Sequence, residues 1–334
     1  VPSTVVNSTF LASSEVCGDG QLSVHGLQWS REQCRSRRGG VIDKHRVPSA
    51  AIDGLAELNP EWGALDNNIT EAVNATLQLG RHSVATVAAL FSDGNVSITS
   101  HLGLAAGSTL LHGLKESGQI ASKSWGLNSG SRGVTSPRSG SLVLGGFDEA
   151  SVAGPFYEYD VRSPDKLENR YCPLQVLVTG LAITVNTNKN VNATKPVSKV
   201  FVSNANKWMA CIEPYDNLFR MPGPILDQFR TLFQETTGFS GGHVRPSEYH
   251  NGLLNIEAGM VFPTPPEQFN ASLRLTLNYN LTVDIPWHEF QQPLRGLDAT
   301  GKPAVDTNYT EYQLFEIPAE GDAPVLGKAF LSQV

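Results

Sequence analysis

LRLTLNYNLTVDI, residues 273–285, sets Leu273, Leu275, Leu277, Tyr279, Leu281, Val283 and Ile285 on alternate positions. A period of two gives a strand one buried face and one solvent face. The stretch therefore reads as one long strand, with Asn278 and Asn280 on its polar side. Leu174–Val185 (LQVLVTGLAITV) and Ser141–Phe147 (SLVLGGF) read as further strands. Helical signals are few. Ile225, Leu226, Phe229, Leu232 and Phe233 form an amphipathic stripe that Gly238 ends. Ser108 is placed to cap a short helix through Lys115, with Gly118 just past its end. The balance predicts a mostly β protein with a few short helices.

The chain has 334 residues. That exceeds one ordinary core of about 100–200 residues, so two units are expected. Low charge (17%) with 31 Gly and 20 Pro fits many short strands joined by turns. The boundary is set within the polar run Tyr159–Arg170, giving an N-terminal unit of 1–160 and a C-terminal unit of 161–334. Asn128–Gly140 reads as a hairpin loop, and Asn186–Lys199 and Asp298–Asn308 as polar loops.

A net charge of −7 without a dominant basic face argues against a nucleic-acid partner. No 18-residue apolar run exists, so no membrane span is expected in this segment. Val1 and Val334 each adjoin strand-like sequence, so both ends are read as trimmed, and no leader or anchor is legible. Four cysteines allow three pairings; Cys17–Cys34 and Cys172–Cys211 are favoured because each keeps its bridge inside one unit. Eight Asn residues lie in N-x-S/T: Asn7, Asn68, Asn74, Asn95, Asn192, Asn270, Asn280 and Asn308. Roughly three would arise by chance, so the excess points to a secreted or cell-surface glycoprotein.

Other chemistries find little support. The eight His residues show no HExxH or His-x3-His spacing, and no CxxC pair exists, so neither a metal nor a cofactor is expected. No G-x-S-x-G elbow is present, and Gly238–His243 reads as a loop rather than a phosphate cradle. The basic residues Arg31, Arg35, Arg37, Arg38, Lys44, His45 and Arg46 read as a solvated loop rather than a patch for an acidic partner. A monomer is expected.

Three segments in order resemble the fungal branch of the pepsin-like aspartic proteases. They are His101-Leu102-Gly103-Leu104, the run Ser117–Gly154 with its turn Gly145-Gly146-Phe147-Asp148, and Val325-Leu326-Gly327-Lys328-Ala329-Phe330-Leu331. The resemblance covers nearly the whole chain. It implies a bilobal fold of two β-barrel-type lobes, with one Asp-Thr-Gly loop from each lobe meeting in a cleft. Such enzymes need two carboxylates that share a proton, one as base for water and one as acid for the carbonyl.

On this resemblance the two Asp positions fall on other residues. Seven residues before Phe10 lies Ser3-Thr4-Val5, where Asp-Thr-Gly belongs. Before the helix near Pro222 lies Glu213-Pro214-Tyr215. Ser3 has no carboxylate, and Thr4 keeps the hydroxyl that braces the loops in the family. Asp216 is expected to point elsewhere. Trp62 and Gly63 fall near the family's flap. The reading is a pseudoprotease that binds a protein, peptide or glycan in the cleft or on its rim. The alternatives are an active acid endopeptidase working through Glu213, and a structural glycoprotein with an empty cleft.

Overall fold

The fold is that of a computed structural model, which describes residues 2–4, 7–18, 22–24, 27–50, 71–91, 100–131, 137–152, 154–161, 172–185, 197–203, 205–237, 242–244, 249–250, 252–255, 259–262, 270–317 and 323–334. The chain is mostly β.

In the N-terminal half, the strands Thr9–Ala12, His82–Phe91, Glu71–Leu79 and Ser49–Ala50 lie side by side in that order. In the C-terminal half, Gln175–Val185 is the hub of an eight-stranded sheet, pairing with Ala271–Leu277, Trp208–Ile212 and Val197–Val202. A six-stranded sheet is built around Gln291–Leu297 and Pro303–Tyr312.

The alternating stretch 273–285 is a hairpin rather than one strand. Ala271–Leu277 turns through Asn278 and Tyr279 into Leu281–Pro286. Both turn residues adopt positive φ, 47° and 65°. Asn278 is fixed by its Oδ1, which accepts from Leu177 N at 2.8 Å. Leu277 pairs with Leu281, Leu275 with Val283 and Leu273 with Ile285. A loop with an odd number of residues keeps odd positions opposite odd positions. Period-two alternation therefore runs on through the turn, and one strand and two strands read alike. Leu273, Leu275, Leu277, Val283 and Ile285 are buried, as the pattern requires, whereas Tyr279 at the tip is exposed.

Two other loop expectations are corrected. Pro303–Tyr312 is a strand, and the turn before it is confined to 298–302, where Asp298 Oδ1 accepts from Thr300 N and Lys302 N. The 197–199 end of the expected loop Asn186–Lys199 belongs to the strand Val197–Val202; residues 186–196 lie outside the described residues. Gly238 also lies outside them.

Both helical expectations hold. Gly223–Thr237 buries Ile225, Leu226, Phe229, Leu232 and Phe233. Thr109–Glu116 is capped by Ser108, whose Oγ accepts from Leu111 N at 3.1 Å, and Gly118 closes it with φ 69°. The hairpin around Asn128–Gly140 also forms, with Trp125–Asn128 paired to Ser141–Leu144.

The basic segment is not a loop. Arg31–Arg37 is a helix with a Ser30/Gln33 capping box, and Arg37 and Arg38 are buried. Lys44 bridges Glu15 and Glu71 at 2.9 and 3.2 Å, and Arg46 pairs with Asp43. Lys44 and Arg46 are thus held in local ion pairs, whereas Arg31, Arg35 and His45 are exposed.

Two disulfides form, Cys17–Cys34 and Cys172–Cys211. The largest apolar cluster runs from Val176 to Phe330, with Trp287, Phe229, Phe233 and Tyr312 at its centre. The clusters of the N-terminal half draw on residues between Phe10 and Leu144, with Leu254 and Leu297 added from the six-stranded sheet. Apart from those two leucines, and from Tyr159, which packs on the largest cluster, each cluster draws on only one half of the chain.

Candidate functional site

Two short loops meet at Glu213. The first follows Pro2–Ser3, which pairs in parallel with Leu102–Gly103. The second follows Trp208–Ile212, whose Cys211 and Ile212 pair in parallel with Val325 and Leu326. The halves repeat one arrangement. Ser3 lies opposite Gly103, and Glu213 N donates to Leu326 O, one residue before Gly327.

Both glycines are required by close approach. A Cβ on Gly103 would stand 2.5 Å from Ser8 O, and one on Gly327 would stand 2.3 Å from Asp216 O. Each strand thus passes under the loop of its own half with no room for a side chain. This packing sets the loops' position, and with it that of Ser3, Thr4 and Glu213.

The residues picked from sequence come together. Ser3, Thr4 and Glu213 are all buried. Thr4 Oγ1 lies 2.8 Å from Glu213 Oε2, and Thr4 N donates to the same oxygen at 3.2 Å. Thr4 Oγ1 also reaches Ile212 O at 3.2 Å. Tyr215 N donates to Glu213 Oε1 at 2.9 Å, and the Ser3 hydroxyl is a further partner. Burial pushes the Glu213 carboxyl up to about 7, against the pull of the donors from Tyr215, Thr4 and Ser3. The hydroxyl of Thr4 suits either protonation state. It can donate to an ionised Glu213, or donate to Ile212 O while accepting the proton of the neutral acid.

No bonded partner of Glu213 is a carboxyl among the described residues. Asp216 turns away, as expected. Its carboxylate is held by Arg220 and by Leu218 N, leaving only its backbone N–H to reach Glu213 O. Pro214 is buried and Tyr215 half-buried beside the acid. Val5, Trp62 and Gly63 lie outside the described residues.

His101 was read only as part of a strand, yet it abuts the site. Its ring lies 4.0 Å from that of Tyr215, edge to face, and 6.4 Å from Phe10. Burial drives its pKa down to about 3, so it is a neutral ring here. Its one sequence signal is a polar side chain opening an otherwise apolar His-Leu-Gly-Leu run.

The acceptor asparagines divide. Asn74, Asn270, Asn280 and Asn308 are exposed, whereas Asn68, Asn95 and Asn192 lie outside the described residues. Asn7 departs from the surface placement a glycan needs: it is buried, and its Oδ1 accepts from Gly107 N at 2.6 Å. No protein-family model matches the chain, and no curated protein matches it.

Proposed function

We propose that this chain is a catalytically silent relative of the pepsin-like proteases, a secreted or cell-surface glycoprotein that binds a protein, peptide or glycan between two lobes. The observation that carries the reading is the meeting of Thr4 with Glu213 across 209 residues of chain. It supports the register that puts Ser3 and Glu213 at the two Asp positions. A lone buried acid cannot divide the roles of base for water and acid for the carbonyl. The donors from Thr4, Tyr215 and Ser3 also spend the oxygens of Glu213 on bracing the loops. The test is a thermal-shift titration with pepstatin at pH 4. No rise in Tm supports the reading, and a dose-dependent rise refutes it.

One observation favours the active reading, an acid endopeptidase. A carboxyl raised to about 7 has the pKa of a general acid. On that reading Glu213→Gln abolishes a measurable peptide cleavage.

A further inference from the structure

Asn7-Ser8-Thr9 is an acceptor sequence for an N-linked glycan, yet all three of its residues are buried. The other acceptors among the described residues, Asn74, Asn270, Asn280 and Asn308, are exposed. Asn7 is held through both side chain and backbone. Its Oδ1 accepts from Gly107 N at 2.6 Å, and its backbone O accepts from Thr109 N at 3.1 Å. The fit is close: a Cβ on Gly107 would stand 2.9 Å from Asn7 Cγ and 3.2 Å from its Nδ2. Nδ2 is the atom to which a glycan is joined. With the residue buried and its amide packed on Gly107, a sugar on Nδ2 has no room.

The position matters for the site. Asn7 lies between the strands Pro2–Ser3 and Thr9–Ala12, in the same short loop as Thr4. A Cβ on Gly103 would meet Asn7 O at 2.6 Å and Ser8 O at 2.5 Å, so the loop seats directly on the strand Leu102–Gly103. A group forced between Asn7 and Gly107 would lift the loop that brings Thr4 to Glu213.

Thr9 supplies an independent observation. Its Oγ1 is buried and, among the described residues, finds no hydrogen-bond partner. An unpaired buried hydroxyl is unfavourable, and an isosteric valine would avoid the cost. The folded state thus makes no use of the group that completes the acceptor sequence, whereas glycan transfer requires it.

Transfer and folding therefore compete for one amide. In the extended chain, Asn7 Nδ2 can attack the anomeric carbon of an oligosaccharide carried on a lipid pyrophosphate. The new C–N bond replaces the anomeric C–O bond. The lipid pyrophosphate leaves with the electron pair, and the amide loses one proton. Once the loop is seated, the same nitrogen is out of reach.

We propose, resting on the secretory reading above, that Asn7 is a folding-gated glycosylation site. A chain modified there before it folds cannot seat the first loop, and only the unmodified chain brings Thr4 to Glu213.

The test is expression of the full chain behind a secretory leader in a eukaryotic host, with degradation of retained protein blocked. Occupancy of each acceptor is read by mass spectrometry after enzymatic deglycosylation in heavy-oxygen water, in the secreted and the retained pools. The exposed acceptors should be occupied in both. Asn7 should be bare in the secreted pool and occupied in the retained pool, where the modified chains are opened by protease. Thr9→Val keeps the volume but removes the acceptor sequence, so it should abolish the Asn7-modified pool and raise the secreted yield. Thr76→Val, which removes the exposed acceptor at Asn74, should not raise it. The proposal is overturned by a secreted, protease-resistant chain with a glycan on Asn7. It is also overturned if Asn7 is bare in both pools while the exposed acceptors are occupied, or if Thr9→Val leaves the secreted yield unchanged. Bare exposed acceptors would overturn the secretory reading together with the proposal, which sets that failure apart from the others.

Discussion

Thr4 and Glu213 share a hydrogen bond of 2.8 Å between groups 209 residues apart in the chain. The hydroxyl and the N–H of one residue both point at one carboxyl oxygen. The pair ties the start of the chain to the loop after Trp208–Ile212. Thr4→Val keeps the volume but removes the hydroxyl, leaving a buried acceptor short of a partner. It should cost about 1–3 kcal/mol, read as a fall in the midpoint of urea denaturation with an unchanged slope. A midpoint within error of the parent would mean that the contact contributes nothing.

Glu213 predicts a stability that falls between mildly acid and neutral pH. Its folded pKa, about 7, is above the unfolded value of 4.5. The folded state therefore holds a proton that the unfolded state has released. The contribution is full below pH 4.5 and is lost as pH rises through 7. On that shift it amounts to about 3 kcal/mol. The carboxylates with lowered pKa values, Asp284 and Asp298, act with the opposite sign and below that window. Glu213→Gln should flatten the profile between those two pH values, measured by denaturation at closely spaced pH. A parallel slope in the variant would assign the effect to other groups.

Gly327 tests the packing that sets the loops. A Cβ there would lie 2.3 Å from Asp216 O and 2.4 Å from Leu218 O, both backbone atoms. Gly327→Ala should cost roughly 3 kcal/mol. Gly146→Ala, where a Cβ meets nothing within 4 Å, is the control and should stay within about 0.5 kcal/mol. Equal costs would show that the strand under the loop is not tightly held.

The Cys172–Cys211 bridge closes a sequence separation of 39 residues and anchors the strand that delivers Glu213. Replacing both cysteines with alanine should cost about 2–5 kcal/mol, seen as a lower Tm that added reductant lowers further by less than it lowers that of the parent, because only Cys17–Cys34 is left to reduce. If reductant lowers the Tm of parent and variant alike, the other bridge dominates.

What was legible in the sequence follows from how local each signal is. Thr4 and Glu213, which the structure brings together, could be picked out because each lies a short count from a local landmark, Phe10 in one half and the helix Gly223–Thr237 in the other. The 225–233 stripe and the Ser108 cap are also local. The hairpin at Asn278 was hidden because its odd loop preserves parity. Pro303–Tyr312 was missed because its outer half is polar and exposed; its pairing with Gln291–Leu297 makes it a strand. His101 against Tyr215 is a contact between distant segments that no spacing reveals.

The most direct test of the one-carboxyl account is digestion of a denatured protein substrate by the pure chain at pH 3–5, with products read by mass spectrometry. The account predicts an intact substrate after prolonged incubation, and no new cleavage when Glu213→Gln is compared with the parent. Fragments that pepstatin suppresses, and that vanish in Glu213→Gln, would contradict it.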